Sequence, residues 1–306
     1  VRIVSLLPAA TEIVIALGLG RRLVGVDHAS TLPAGARCRV VTRSLVRRVG
    51  RDRAVHRRLV AAADGGARVV SLDAAAVAAL HPDLILTGDP ADPDVPAESA
   101  VRAAARLAGD EVAVVSLAPT TLEGVFHALT TVGAMTGTEA SAMRLVERLR
   151  GRLGRLERRV QAGRQAGRQP TRVVVVEAFD PPWATGRWVP EQVRRAGGWE
   201  LLGREGERSA PTTWAAVREV DPEVLVLAHR FRGREAALDE WARTRRPASW
   251  DRLRAVRHGQ VFVVDGPAYF GRPGPRLVDG IALLAELLDP DTFVDVAPSG
   301  SWTPLL

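Results

Sequence analysis

Two carboxylates three residues apart, Glu177 and Asp180, stand in the stretch VVVVEAFDPPWATGRWVP together with Phe179, Trp183 and Trp188. Paired acids can trade a proton with a substrate, or simply accept hydrogen bonds from it. Planar rings beside proline and glycine make a stiff wall suited to a large ligand. A second stretch, GPAYFGRPGPR, adds Tyr269, Phe270 and Arg272 in a chain that is only 5% aromatic and has a single tyrosine. The Arg272 guanidinium can fork onto a carboxylate, amide or phosphate oxygen, or pair structurally with Asp180 or Glu177. His28 and His229 each close an apolar run. With Glu177 or Asp180 they could bind a metal or cap the metal of a bound chelate; the plainer reading is a hydrogen-bonded loop histidine. Arg43 and the turn from Ser5 through Pro8 to Ala10 complete the ligand-contact candidates. No residue is assigned a catalytic role, because the chain has no GxSxG elbow, HExxH, P-loop or GxGxxG after its first strand.

The elements that must hold these residues repeat. RIVSL, broken by Pro8, precedes the helical ATEIVIAL, and LVGV, DLILTG and VAVVSL follow as short β-branched runs separated by helical stretches. That alternation predicts βαβ units and a parallel sheet covered on both faces. After Gly137, Leu145, Leu149, Leu153, Leu156 and Val160 fall at steps of four, four, three and four, which predicts one long helix with an apolar stripe. About 23 residues would make it ~35 Å long. The pattern then restarts: TRVVVVEAFDPP echoes VRIVSLLPAA, DPEVLVLAHR echoes HPDLILTGDP, and QVFVVDGP echoes EVAVVSLAP. The expected fold is α/β, with two lobes of parallel-type sheet joined by a single long helix and a ligand cleft between them. The expected boundaries are 1–137 for the N-terminal lobe, 138–168 for the helix and linker, 169–290 for the C-terminal lobe and 291–306 for a loosely attached tail. In such sheets ligands lie outside the carboxyl ends of the strands.

Composition narrows the function classes. A length of 306 residues suits two domains, and 46% hydrophobic with 25% charged residues suits a packed core. The net charge is +7, carried by arginine alone, since there is no lysine. The dense runs, Leu45 to Val60 and Arg148 to Arg168, read as solvated helix faces, and no nucleic-acid module accompanies them. The lone Cys38 excludes an intramolecular disulfide and any cysteine-built metal site. No segment reaches the ~18 uncharged apolar residues of a membrane span.

RIVSLLPAATEIVIALGLGRRLVGVDH, HPDLILTGD, the long helix, FDPPWATGRWVPEQVRRAGG, DPEVLVLA and AYFGRPGPRLVDG together resemble the class III (cobalamin and iron-chelate) substrate-binding proteins of ABC importers, and specifically their cobalamin-binding branch. The likeness runs to about residue 290. It implies two α/β lobes tied by one rigid helix, with a corrin or iron chelate seated between aromatic walls and no covalent step. On this chain it implies ligand contact from the Ser5 to Ala10 turn, the His28 loop, Phe179 to Trp183, and Tyr269 to Arg272. It also implies an ABC permease as partner, docked through a glutamate on each lobe. Ala75 and Ala215 stand where those acids would be sought. The loops DHASTLP and TGDPADPDVP lack the cysteines that relatives without a signal peptide carry there.

The resulting expectation is a substrate-binding module for cobalamin or a similar tetrapyrrole or metal chelate, with no required cofactor. As the sequence stands, without a recognisable leader, the expected location is cytoplasmic; the alternative is extracytoplasmic after removal of a leader. The second functional reading is a cytoplasmic relative that has left transport, sequestering a cofactor or catalysing with Glu177, Asp180 and His28.

Overall fold

The computed structural model describes residues 1–45, 68–248 and 250–305. The arginine-dense run from Leu45 to Val60 lies, apart from Leu45, outside the described residues. The chain divides into two compact units, Val1–Pro119 with Gly124–Val146, and Thr120–Glu123 with Glu147–Leu306.

The first unit contains β1 (Ile3–Ser5), α1 (Pro8–Ala16), β2 (Leu23–Val26), β3 (Arg39–Val40), β4 (Thr42–Ser44), β5 (Val70–Leu72), α2 (Ala74–Ala79), β6 (Leu84–Thr87), α3 (Glu98–Ala108), β7 (Ala113–Ser116) and most of α4 (Leu122–Thr136). Five of its strands form an all-parallel sheet in the order β3-β2-β1-β6-β7, while β4 and β5 pair antiparallel beside it. β1 and β6 are buried along their whole length, which is why their sequences are continuous apolar runs and do not alternate. Val4, Ile85, Val77 and Val101 meet in one core cluster. Pro8 supplies the first turn of α1, a position where its missing N–H costs nothing.

α4 and α5 (Glu139–Gln165) are separated by Gly137, whose φ of +67° needs a residue without a Cβ. α5 is 27 residues long, somewhat longer than its leucine spacing predicts. Leu145, Leu153 and Leu156 are buried on its stripe while Arg148, Arg155 and Arg158 face water. Several of its arginines are not merely solvated. Arg152 pairs with Asp279, and Arg159 bonds the Thr292 carbonyl.

The second unit continues with β8 (Thr171–Phe179), β9 (Pro182–Ala184), β10 (Gly186–Arg187), α6 (Val189–Arg195), β11 (Gly198–Glu200), β12 (Arg204–Glu205), β13 (Ala210–Pro211), α7 (Trp214–Val220), β14 (Val224–Leu227), α8 (Arg234–Arg243), α9 (Arg254–Arg257), β15 (Val261–Val264), α10 (Gly266–Tyr269), α11 (Leu277–Leu288) and β16 (Trp302–Pro304). β11, β14 and β15 extend the sheet from β8 in parallel. β9, β13 and β16 add antiparallel edges. The two parallel-cored sheets fulfil the α/β expectation. The core packs Val174, Val176, Leu225, Leu227, Val261 and Val263 against Trp241 and Trp250.

The tail is not loosely attached. β16 pairs with β15, and Phe293 is 1% exposed with the Arg159 guanidinium 4.5 Å from its ring centre. Glu286 accepts the Val296 and Ala297 N–H groups at 2.9 Å and the Trp302 indole N–H at 3.1 Å. The segment lacks periodicity because single anchors hold it, not a continuous face.

Candidate functional site

Four predicted ligand contacts turn inward. Phe179 is fully buried, edge-on to His229 at 5.3 Å and to Trp241 at 5.5 Å. The cause is a register shift between Val176 and Ala178 on β8: one extra residue inverts the alternation, so Phe179 joins the face of Val174 and Val176 in the core. Trp188 and Phe270 are each 3% exposed, and the Trp188 indole N–H donates to the Phe270 carbonyl at 2.6 Å. This bond locks the two loops to each other, with both rings largely closed off from solvent. Ser5 is fully buried; its hydroxyl donates to the Leu7 carbonyl and accepts from Thr11 Oγ1.

Other candidates in the second unit stay half-buried at or just beyond the carboxyl ends of its strands: Glu177 near the end of β8, Asp180 in the turn after it, Trp183 on β9, Tyr269 at the end of α10 and Arg272 in the loop that follows. Asp265 caps the short α10 by accepting the Ala268 N–H at 2.9 Å, which sets the position of Tyr269. Gly266 is needed there because a Cβ would lie 2.2 Å from the His229 carbonyl oxygen. Burial raises the Tyr269 pKa, aided by Asp279 and Asp265 and opposed by Arg276.

Glu177 lies in a recess also lined by Arg187, Trp188, Ser209, Arg230 and Phe270. The recess offers ≈ 20 Å³, room for one water and not for a macrocycle. Burial pushes the Glu177 carboxyl above the ordinary range, while Arg230, a hydrogen bond from Ser209, Arg187 and His229 pull the other way. Arg230 Nη1 is 3.8 Å from Glu177 Oε1. Arg187, Ser209 and Arg230 escaped the sequence reading, although Arg230 follows directly from His229 at the end of β14 and could have been found by the same strand-end rule.

His229 does not present a metal ligand. Its Nδ1 accepts the Phe231 N–H at 3.2 Å and its Nε2 faces Glu240 Oε2 at 3.6 Å, with the ring 4% exposed. Among the described residues no group of three His, Cys, Asp or Glu could hold a metal ion.

In the first unit, Pro8 is half-buried and Arg43 is exposed on β4. A hydroxyl chain links Ser5, Thr11 and Ser30 at 2.9 Å per step. Beside it, at the carboxyl end of β2, Thr42 Oγ1 donates to Asp27 Oδ2 at 2.7 Å and lies 2.9 Å from His28 Nδ1. Burial works to raise the Asp27 pKa, but hydrogen bonds with His28 and Thr42, the nearby His28 charge and the Ala29 N–H outweigh it and hold Asp27 below its usual value.

The family described as periplasmic binding protein matches residues 3–268. The chain belongs to the periplasmic binding protein family. It is 25% identical over 307 residues to the uncharacterized ABC transporter substrate-binding lipoprotein YvrC of Bacillus subtilis (strain 168), covering 95% of this chain and 81% of that protein. Among solved structures, it is similar to a periplasmic heme binding protein from Pseudomonas aeruginosa, with a TM-score of 0.70, 25% identity and coverage of 94% and 92% of the two chains. It is also similar to the periplasmic vitamin B12 binding protein BtuF of Vibrio cholerae, with a TM-score of 0.68, 21% identity and coverage of 94% and 96%. Membership in this periplasmic binding protein family, with a lipoprotein among its relatives, overturns the expectation of a cytoplasmic protein. Ala75 and Ala215 are both exposed, in the first turns of α2 and α7. No described helix is long and apolar enough to cross a membrane.

Proposed function

We propose that this chain is the extracytoplasmic ligand-capturing component of an ABC importer, and that its ligand is cobalamin or a similar tetrapyrrole or metal chelate. The observation that carries this reading is the set of half-buried Trp183, Arg187, Arg230, Tyr269 and Arg272, which lie on the short elements and loops that follow the carboxyl ends of β8, β14 and β15. Flat rings supply dispersion contact with a macrocycle, and guanidinium groups fork onto its peripheral carboxylates or amides. Holding them on buried strands keeps their geometry fixed before the ligand arrives, which lowers the ordering cost of binding. The similarity to heme and vitamin B12 binding proteins supports the ligand class, and the YvrC relative supports an ABC permease as partner.

The test is a titration of the purified protein with cyanocobalamin and with hemin, followed by tryptophan fluorescence. All seven tryptophans fall between Trp183 and Trp302, within the second unit, so quenching reports on the loops in question. Saturable quenching at micromolar concentration by one of the two supports the reading; no response to either refutes it.

A further inference from the structure

We propose that Glu177, set beside Arg230, is a specificity-determining residue that admits a ligand bearing a carboxamide at this point of its periphery and rejects one bearing a carboxylate there. This rests on the reading above that the loops of the second unit hold a macrocyclic chelate, and it narrows that cargo to one rimmed with amides.

The backbone fixes the pair. Glu177 is the residue left over where the pairing of β8 with β9 shifts register between Val176 and Ala178, and a bulge of this kind re-aims a side chain. Arg230 follows the end of β14, and its backbone N–H donates to the Glu177 carbonyl at 2.9 Å, which clamps the two residues side by side. Their side chains stand 3.8 Å apart, from Arg230 Nη1 to Glu177 Oε1, a separation longer than a hydrogen bond. On the other flank the backbone of residues 207–209 presses on Gly186, where a Cβ would lie 2.4 Å from the Glu207 carbonyl oxygen. That close approach brings the Ser209 hydroxyl to the carboxylate, with which it forms a hydrogen bond. Arg187, next along the chain, is held at a φ of +54°, a left-handed conformation that a residue with a side chain adopts only where its surroundings impose it.

An ionised carboxylate only accepts hydrogen bonds, and a guanidinium only donates them. Side by side, they match the two ends of a primary amide, whose NH2 donates to Glu177 while its carbonyl accepts from Arg230. The recess they line holds ≈ 20 Å³, the room of one water, and an amide nitrogen can take that place. A carboxylate offers Glu177 no proton and sets a second negative charge against it. Sites built around a hydrogen-bonding group discriminate strongly against an analogue that leaves the group unpaired, and like charges in contact add to the penalty. Arg187 and Arg230 without the acid would favour a carboxylate; Glu177 reverses that preference.

The experiment measures affinity, by tryptophan fluorescence, for cyanocobalamin, for hemin and for the separate monocarboxylic acids of cyanocobalamin, each with one side-chain amide hydrolysed. Titrations are run at about pH 8, to keep ionised a carboxyl that burial raises. The wild type is expected to bind cyanocobalamin and to bind one monocarboxylic acid about tenfold or more weakly than the others. Glu177→Gln, close in shape but uncharged, is expected to close that gap while leaving the order of the remaining acids unchanged. Glu177→Ala, which also removes the charge, carries the comparison if the glutamine variant fails to fold. Monocarboxylic acids that all bind the wild type alike, or a gap that persists in both variants, overturn the role of Glu177 and leave the proposed function standing. So does a wild type that binds hemin and not cyanocobalamin. Absence of binding by both hemin and cyanocobalamin to the wild type overturns both.

Discussion

Phe179 decides whether the aromatic residues of the β8 loop are structural or contact ligand. Phe179→Ala removes a fully buried ring that packs edge-on against His229 and Trp241. Truncating a core phenylalanine costs ~3–5 kcal/mol, and losing two edge-to-face partners places this site toward the upper end. Urea unfolding followed by tryptophan fluorescence isolates the second unit, which contains all seven indoles. With a slope of about 2 kcal/mol per molar, the midpoint should fall by roughly 2 M with the slope unchanged. Under native conditions, affinity for hemin or cobalamin should change much less than stability. A variant that keeps its midpoint within about 0.5 M yet loses tenfold or more in affinity would show that Phe179 touches ligand, and the core assignment would be wrong.

Glu200 gives a pH prediction. Burial pushes its pKa up to about 7, against the pull of N–H groups from Gly203, Leu202, Val175 and Leu201. The folded state therefore holds this proton more tightly than the unfolded state, so stability is highest below the ordinary carboxyl range and declines as pH rises toward 7, by about 3 kcal/mol in all. Glu200→Gln should flatten that decline in urea melts run between pH 4.5 and 8, and parallel profiles would refute the assignment. Gly266→Ala places a Cβ 2.2 Å from the His229 carbonyl oxygen; displacement of α10 should cost ~1–3 kcal/mol and weaken ligand binding, and an unchanged melting temperature with unchanged affinity would contradict it. Trp302→Ala removes the indole bond to Glu286 and the edge-on contact with Phe262 at 5.5 Å. A loss of about 2 kcal/mol is expected in thermal or urea unfolding, and a neutral effect would mean that the terminal strand is dispensable.

The strands were readable because parallel strands buried on both faces leave continuous apolar runs, as in Val173 to Val176 and Val261 to Val264. The long helix was readable from its leucine spacing. What composition and order could not show is which way a loop ring faces. Phe179 and Trp183 are four residues apart in one aromatic stretch, yet a register shift sends the first into the core while the second remains half-buried. Trp188 and Phe270, two of the five rings expected near one place, do meet, through an indole-to-carbonyl bond that ties their loops together. The Asp27, His28 and Thr42 grouping was only partly legible, since Thr42 arrives from another strand and its part in fixing the imidazole depends on a hydrogen-bond direction. The terminal strand was missed because three residues anchored by one glutamate leave no pattern to find.

Hydrogen exchange with and without saturating ligand, using whichever of hemin and cyanocobalamin quenches fluorescence, tests most directly whether strand-end loops form the binding surface. New protection is expected in the peptides covering residues 177–188 and 266–276, with little change at the amino ends of the same strands. Protection confined to other surfaces, with those two loops exchanging at the ligand-free rate, would contradict the account.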